Sequence, residues 1–351
     1  MHWQGVIRHY SAFLPPVPDD CVVTLMEGNT PLVAAPALAR QVAPGTEVFL
    51  KCEGLNPTGS FKDRGMTMAV SKAKAEGSDS VICASTGNTS ASASAYAARA
   101  GMKAFVLIPD GGIALGKLSQ AMIHGAKVIQ VLGNFDDALA LVKEVSERYP
   151  VTLVNSLNPN RIEGQKSAAF EVCDALGEPP DYHVLPVGNA GNITAYWAGY
   201  KAYKDAGKIR RLPKMLGWQA EGAAPIVRGY PIEKPETVAT AIRIGKPASW
   251  KRAEAARDES GGLIRMVSDA EILEAYKMVA ETEGIFCEPA SAASIAGVIK
   301  LGKEGFFRKG DRIVCTLTGH GLKDPDNAIA QSVAPVTIPP SMDEVRKVLG
   351  F

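Results

Sequence analysis

No Cys-x-x-Cys pair occurs in this chain of 351 residues, whose six cysteines, Cys21, Cys52, Cys83, Cys173, Cys287 and Cys315, are scattered along it. That spacing argues against a disulfide framework and against a zinc or other metal site. Three of the six lie inside apolar, strand-like runs and read as reduced core thiols of a cytoplasmic protein. Charge of one sign is missing too: 38 Lys and Arg stand against 37 Asp and Glu, a net charge of +1. No whole-surface field therefore recruits nucleic acid or an anionic membrane, and any basic residues that matter act locally. No apolar run approaches the length of a membrane span, and Met1-His2-Trp3-Gln4 has no basic start leading into an apolar core. Internal repeats and low-complexity tracts are absent as well. The expectation is a cytoplasmic protein whose partner is a small molecule, with no nucleic acid and no membrane.

What is present is an ordinary globular composition, 46% apolar, in a chain long enough for a large core and two domains. Residues 1 to about 20, aromatic and proline-rich, read as an arm packing over a neighbour, and Glu27 to Leu32 as a turn. Apolar runs then predict strands at Glu47–Glu53, Ser80–Ala84, Lys103–Ile108, Lys127–Val131 and Val151–Val154. Helical periodicity falls between them at Met66–Glu76, Thr89–Ala100, Ala114–His124 and Phe135–Tyr149, the last opened by Asn134 as cap. The alternation resumes with helix Arg161–Leu176, strand Tyr182–Val187, helix Ile193–Ala206 and strand Lys214–Gln219. It weakens over Gly222–Gly262, then returns as helix Asp269–Glu283, strand Ile285–Cys287, helix Ser291–Lys303 and strand Arg312–Leu317, with a short amphipathic turn at Met342–Leu349. The pattern predicts an α/β protein with two largely parallel, helix-covered sheets.

In open α/β sheets ligands gather beyond the carboxyl ends of the strands, so the strand-end loops carry the candidate chemistry. Pro57-Thr58-Gly59-Ser60-Phe61-Lys62-Asp63 places Lys62 in the first turn of a helix, with Ser60 and Asp63 spaced as a capping box. The helix dipole there disfavours an ammonium and favours the neutral amine that a Schiff base needs. A solvated lysine beside its cap fits this stretch equally well. Ala84-Ser85-Thr86-Gly87-Asn88-Thr89-Ser90 enters the next helix with hydroxyls and backbone N–H groups suited to an anion, or simply as a cap with small residues for tight packing. Gly188-Asn189-Ala190-Gly191-Asn192 lacks both the P-loop ending and the dinucleotide glycine spacing. It reads as a cradle for a compact phosphate, or as a structural turn. Thr316-Leu317-Thr318-Gly319-His320 sets a hydroxyl where a ring nitrogen could meet it. Lysine, phosphate cradle and hydroxyl together supply the contacts that pyridoxal 5'-phosphate requires.

The motifs PTGSFKDRG, ASTGNTSAS, VGNAGN, EPASAA and TLTGHGLKD, in that order, resemble those of the fold-type-II pyridoxal-phosphate enzymes. Within that group EGNTPL, GNFDDAL and NSLNPNRIEGQKS are similar to the short-form threonine synthase family, and the likeness runs from about 25 to 330. The resemblance implies a two-domain fold of the tryptophan-synthase-β type, with a smaller domain at 55–157 inserted into a larger one formed by 1–54 and 158–351. It implies a homodimer that converts O-phospho-L-homoserine and water to threonine and phosphate. Lys62 would carry the cofactor and act as acid and base. Asn88 would hold the 3'-oxygen, Gly188, Asn189, Ala190, Gly191 and Asn192 the phosphate, and Thr318 the pyridine nitrogen. Thr86 and Gly87 would take the substrate carboxylate.

Asn155-Ser156-Leu157-Asn158-Pro159-Asn160-Arg161 offers an amide, a hydroxyl and a guanidinium at one strand-to-helix turn. Arg161 opposes the dipole at a helix start, which argues for an anion nearby. Asn155, Ser156 and Arg161, with Lys117 and Thr89 closing from the other side, form the expected pocket for the substrate's phosphate. Without such an anion Lys117 is a solvated helix lysine and Arg161 an idle charge. Glu288 is expected only to buttress the ring's surroundings, and His124 and His320 to be structural. A threonine or serine dehydratase of the same fold needs no second phosphate pocket, and a non-catalytic binding protein needs no Lys62.

Overall fold

The computed structural model describes residues 2–110 and 115–351, with the side chains of residues 115–117 outside that description. Among the described residues ten strands form two sheets. The six-stranded sheet has the order β1 (Leu32–Ala34), β2 (Glu47–Cys52), β10 (Arg312–Leu317), β7 (Tyr182–Pro186), β8 (Lys214–Ala220) and β9 (Leu263–Val267). All its pairings are parallel except β1 with β2. The four-stranded sheet, wholly parallel, has the order β5 (Lys127–Val131), β4 (Lys103–Pro109), β3 (Ser80–Ala84) and β6 (Thr152–Leu153).

Central strands are apolar on both faces because helices cover both, and the period-2 alternation of side chains feeds two cores. Ile313, Cys315 and Leu317 enter one core with the Pro289–Lys303 helix, while Val314 enters the other with Tyr196 and Tyr200 of the Gly191–Asp205 helix. Val81 and Cys83 likewise face one layer of the smaller sheet, and Ile82 and Ala84 the other. All six cysteines are unpaired. No helix among the described residues is long and apolar enough to cross a membrane. The first residues pack on their own chain: Tyr10 lies 5.2 Å from Phe170, ring centroid to centroid, and its hydroxyl donates to Asp174 at 2.8 Å.

Several local expectations are corrected. The expected capping box at Ser60 and Asp63 does not form: the helix is Lys62–Ala75 with Phe61 at its N-cap and no side-chain cap. Asp63 is buried and turns back to the preceding loop, accepting from Thr58 N at 2.7 Å and Thr58 Oγ1 at 2.5 Å, and from Ser92 Oγ at 2.6 Å. The helix expected at 161–176 divides into Pro159–Gln165 and Ser167–Leu176. Ile285–Cys287 makes only an isolated antiparallel bridge, Cys287 to His320, rather than a strand. Edge strands β1 and β9 were not anticipated. The capping box at Asn134, closed by Asp137, is present, and Ala114 lies outside the described residues, the helix being described from Leu115 to Ile123.

Two constraints seat the lysine helix. Arg64, fully buried, donates to Glu53 (Nε to Oε2 2.6 Å) and Glu171 (Nη1 to Oε1 2.6 Å), and Glu171 also pairs with buried Lys51 at 2.7 Å. Such a cluster is costly to desolvate but fixes geometry once formed, since losing one member strands the rest. The second is close packing of the Lys62–Ala75 helix on Pro159–Gln165: a Cβ on Gly164 would stand 1.9 Å from the Arg64 carbonyl oxygen, and one on Gly65 3.1 Å from Arg161 Cα. The obstacle is backbone, which cannot swing aside. Gly164→Ala is expected to lower stability by roughly 3 kcal/mol or more, at the upper end of overpacking costs, read as a fall in the denaturant midpoint. An unchanged midpoint would show that these helices are free to separate.

Candidate active site

The Pro57–Phe61 loop runs beside the Thr318–His320 loop, held by Phe61 N–H to Thr318 O at 3.0 Å and His320 N–H to Gly59 O at 2.9 Å. Lys62 and Thr318 are thereby brought to one cavity of about 2130 Å³ between the two sheets. Thr86, Gly87, Asn88, Thr89, Asn155, Ser156, Arg161 and the 188–192 loop line the same cavity. Lys117 belongs to the Leu115–Ile123 helix, but its side chain lies outside the described residues.

Lys62 is partly exposed to the cavity yet surrounded by protein, its Nζ 4.1 Å from the Phe61 ring centroid. Burial, and next to it the Arg161 guanidinium, lower its pKa to about 7, against the opposing pull of Glu288. Arg161 is itself 1% exposed and pushed down to about 10, burial again being the main cause. Its Nη1 donates to the Val154 carbonyl at 3.3 Å, while its Nε has no hydrogen-bond partner among the described residues. A buried guanidinium so thinly satisfied is costly unless an anion completes it.

Two helix starts face the cavity without side-chain caps. The Asn88–Ala100 helix begins after Gly87, where an added Cβ would meet nothing within 4 Å, so the approach to its N–H groups is open. The Gly191–Asp205 helix begins after Ala190, held at φ 62, and the buried Asn192 Nδ2 lacks a partner among the described residues. Asn189 spends its side chain on loops, donating to Ser156 Oγ at 3.1 Å and accepting from Ala248 N at 2.8 Å. Asn155 is similarly engaged, its amide exchanging two 2.9 Å bonds with the Ala84 backbone, so that it ties β3 to the turn after β6.

Sequence reasoning undervalued Glu288 and overlooked Lys323. Glu288 is buried and receives Asn88 Nδ2 and Thr318 Oγ1, each at 3.0 Å. Its only sequence signal is an acid placed among apolar and small residues, Phe286-Cys287-Glu288-Pro289-Ala290. The Lys323 ammonium donates to Gln120 Oε1, joining the segment after β10 to the Leu115–Ile123 helix; the sequence shows it only as a member of the TLTGHGLKD motif, with no role attached.

An amine near neutrality, an uncapped helix start with an unpartnered amide, and a hydroxyl across the cavity define a site fitted to pyridoxal phosphate. The chain belongs to the pyridoxal-phosphate dependent enzyme family, whose model matches residues 23–319, and its fold is that of fold type II. Among its relatives, the threonine synthase of Synechocystis sp. is 59% identical over 99% of this chain and 91% of its own length. The threonine synthase of Mycobacterium tuberculosis is 60% identical over 96% and 94%, and that of Methanocaldococcus jannaschii 52% identical over 98% and 87%. In fold the chain is similar to maize serine racemase (TM-score 0.76, 20% identity, 94% of this chain and 97% of that one). It is similar to the same degree to the processed threonine deaminase isoform 2 of Solanum lycopersicum (TM-score 0.76, 20% identity, 95% and 96%).

The lowered pKa of Lys62 gives a signed expectation. Attachment of pyridoxal phosphate to the cofactor-free protein needs the neutral amine, so its rate should rise tenfold per pH unit below about 7 and level off above it. Following the absorbance of the attached cofactor against pH measures this. A rate still climbing toward the ordinary lysine range would mean that the amine is not depressed.

Proposed function

We propose that this chain is a threonine synthase, a carbon–oxygen lyase acting on a phosphorylated substrate: O-phospho-L-homoserine and water give L-threonine and phosphate. The observation that carries the reading is Arg161, a buried guanidinium with an unpartnered Nε in the cavity of Lys62. The 188–192 loop suits the cofactor's own phosphate, so this further cationic group calls for a second anion. The identity of 52 to 60% to threonine synthases over nearly the full chain supports it.

In this reading residues 55–157 form the smaller inserted domain, with 1–54 and 158–351 the larger; the strands of the four-stranded sheet all fall within 80–153, which supports the division. Bound pyridoxal phosphate supplies an electron sink for charge developing at the substrate's Cα and Cβ. The Lys62 Nζ, neutral above about pH 7, takes the proton from Cα and then one from Cβ. The Cγ–O bond breaks and the oxygen leaves with phosphate, held by Arg161 with Ser156, Asn155, Thr89 and Lys117. Water adds its oxygen at Cβ, Cγ and Cα regain protons, and threonine results. Thr86, Gly87 and the uncapped Asn88–Ala100 helix start hold the substrate carboxylate. Asn88 would hold the ring's 3'-oxygen, Thr318 the ring nitrogen, and Gly188 to Asn192 the cofactor phosphate. Five of the six cysteines are buried and all are unpaired, which supports a cytoplasmic setting. Exposed apolar side chains at Leu55, Leu322, Ile329 and Val333 support assembly as a homodimer.

Arg161→Ala is expected to cost on the order of tenfold to a hundredfold in kcat/KM for O-phospho-L-homoserine, the worth of one charge-assisted contact. It should spare the slow deamination of threonine when both are assayed well above the pKa of Lys62. Phosphate release and 2-oxobutyrate formation are the readouts. A parent that makes 2-oxobutyrate from threonine faster than it releases phosphate, or a variant weakened equally in both, would replace the synthase with a dehydratase. Borohydride reduction of the loaded enzyme followed by peptide mapping should tag Lys62, and a tag on another lysine would overturn its assignment.

A further inference from the structure

Glu288 occupies the N-cap of the Pro289–Lys303 helix and is 4% exposed. Its two oxygens are taken by the two groups assigned above to the cofactor ring. Oε2 accepts from Asn88 Nδ2 and Oε1 from Thr318 Oγ1, both at 3.0 Å. Ser291 Oγ stands 3.0 Å from the same Thr318 oxygen, and the Gly319 N–H donates to Ser291 Oγ at 3.1 Å. The place for the carboxyl is made by a missing side chain: a Cβ on Gly319 would come within 2.5 Å of the Glu288 Cδ and Oε1.

Hydrogen counting gives this arrangement two states. Thr318 has one hydroxyl hydrogen, and an ionised carboxylate can only accept. With Glu288 ionised, Oε1 and Oγ1 at 3.0 Å need that hydrogen between them, and Thr318 has none for the ring nitrogen. With Glu288 protonated on Oε1, the carboxyl donates to Thr318, and the hydroxyl hydrogen is released to the ring. The geometry points to Glu288 as a positioning residue that decides, through Thr318, whether the cofactor's ring nitrogen receives a hydrogen bond. This rests on the reading that Thr318 meets that nitrogen.

The surroundings shift the carboxyl toward its protonated form relative to a free one. Lys62 faces Glu288 from the helix that it opens and Lys323 from the segment after β10, while Cys287 adjoins it on its own segment. Burial raises the carboxyl's pKa, the Asn88 and Thr318 hydrogen bonds and the two lysines lower it, and the balance leaves it raised. As pH rises and Glu288 ionises, Thr318 turns from the ring to the carboxylate. Since Asn88 belongs to the helix after β3 and Thr318 follows β10, one carboxyl also ties together the ring contacts of both sheets.

The test is the ¹⁵N NMR signal of the ring nitrogen in enzyme loaded with ring-labelled pyridoxal phosphate, followed from acid to alkaline pH. The parent should show one step, from a hydrogen-bonded nitrogen at low pH to one without that donor at high pH. Glu288→Gln fixes the first state, because its Oε1 can accept from Asn88 while its Nε2 donates to Thr318. It should hold the signal at the parent's low-pH position throughout. Cofactor binding in the parent should weaken roughly fivefold to tenfold across the step, the loss of about one hydrogen bond. No step in the parent, which needs no variant to observe, or a step that persists in Glu288→Gln, overturns the proposal. Thr318→Val separates the two layers. If it abolishes the step while Glu288→Gln keeps it, the role of Glu288 fails and Thr318 stays at the ring; if Thr318→Val keeps the parent's step, the placement of Thr318 itself is wrong.

Discussion

Two basic side chains, Lys62 and Arg161, share one cavity with no carboxylate among the described residues bonded to either, and the rest of the site is arranged around that pair. In water two such charges would ignore each other; in this cavity burial first, and the Arg161 charge next, make the Lys62 proton easier to lose. Lysine gives way because its pKa is the lower of the two, so the guanidinium keeps its charge for an anion while the amine is left near neutrality. One contact thus serves two tasks, a base on one side and an anion receptor on the other. It depends on the backbone-to-backbone approach at Gly65 and Gly164, which brings the two helix starts together.

The supporting structure keeps those starts from moving apart. Arg64, two residues past Lys62, is clasped by Glu53 at the end of β2 and Glu171 in the Ser167–Leu176 helix, so the lysine helix is tied to the six-stranded sheet although it packs on the four-stranded one. Asp63, next to Lys62, holds the preceding loop by Thr58 and the neighbouring helix by Ser92. Its pKa is raised to about 6, burial outweighing those hydrogen bonds. Consecutive side chains at 62, 63 and 64 therefore face the cavity, the loop and the core, as the first turn of a helix permits.

The sequence made the strand-rich framework legible because buried parallel strands are short continuous apolar runs, as at Ser80–Ala84 and Tyr182–Pro186. The edge strands of the six-stranded sheet escaped: β1 is three residues and mostly exposed, and β9 carries Arg265 with only two buried positions, so neither shows such a run. The Ser60–Asp63 spacing suggested a cap, but Asp63 answers to Thr58 and Ser92, a tertiary preference that spacing cannot reveal. For the site, glycines and hydroxyls at strand ends pointed to the right loops, whereas division of labour among them was not legible. Asn155 and Asn189 look alike as anion ligands in sequence, yet both spend much of their hydrogen bonding on holding loops. Glu288 carried the opposite error: from sequence it is expected only to buttress the ring's surroundings, and the three-dimensional meeting of Asn88 and Thr318 on its two oxygens gives it a larger part.

The central claim is that this cavity breaks the substrate's Cγ–O bond and adds water at Cβ, rather than hydrolysing a phosphate ester at phosphorus. The most direct measurement is turnover of O-phospho-L-homoserine in ¹⁸O-labelled water with mass analysis of both products. The account predicts threonine carrying one labelled oxygen in its side-chain hydroxyl and phosphate released without label. Label in the phosphate together with unlabelled homoserine would mean P–O cleavage, and would contradict it.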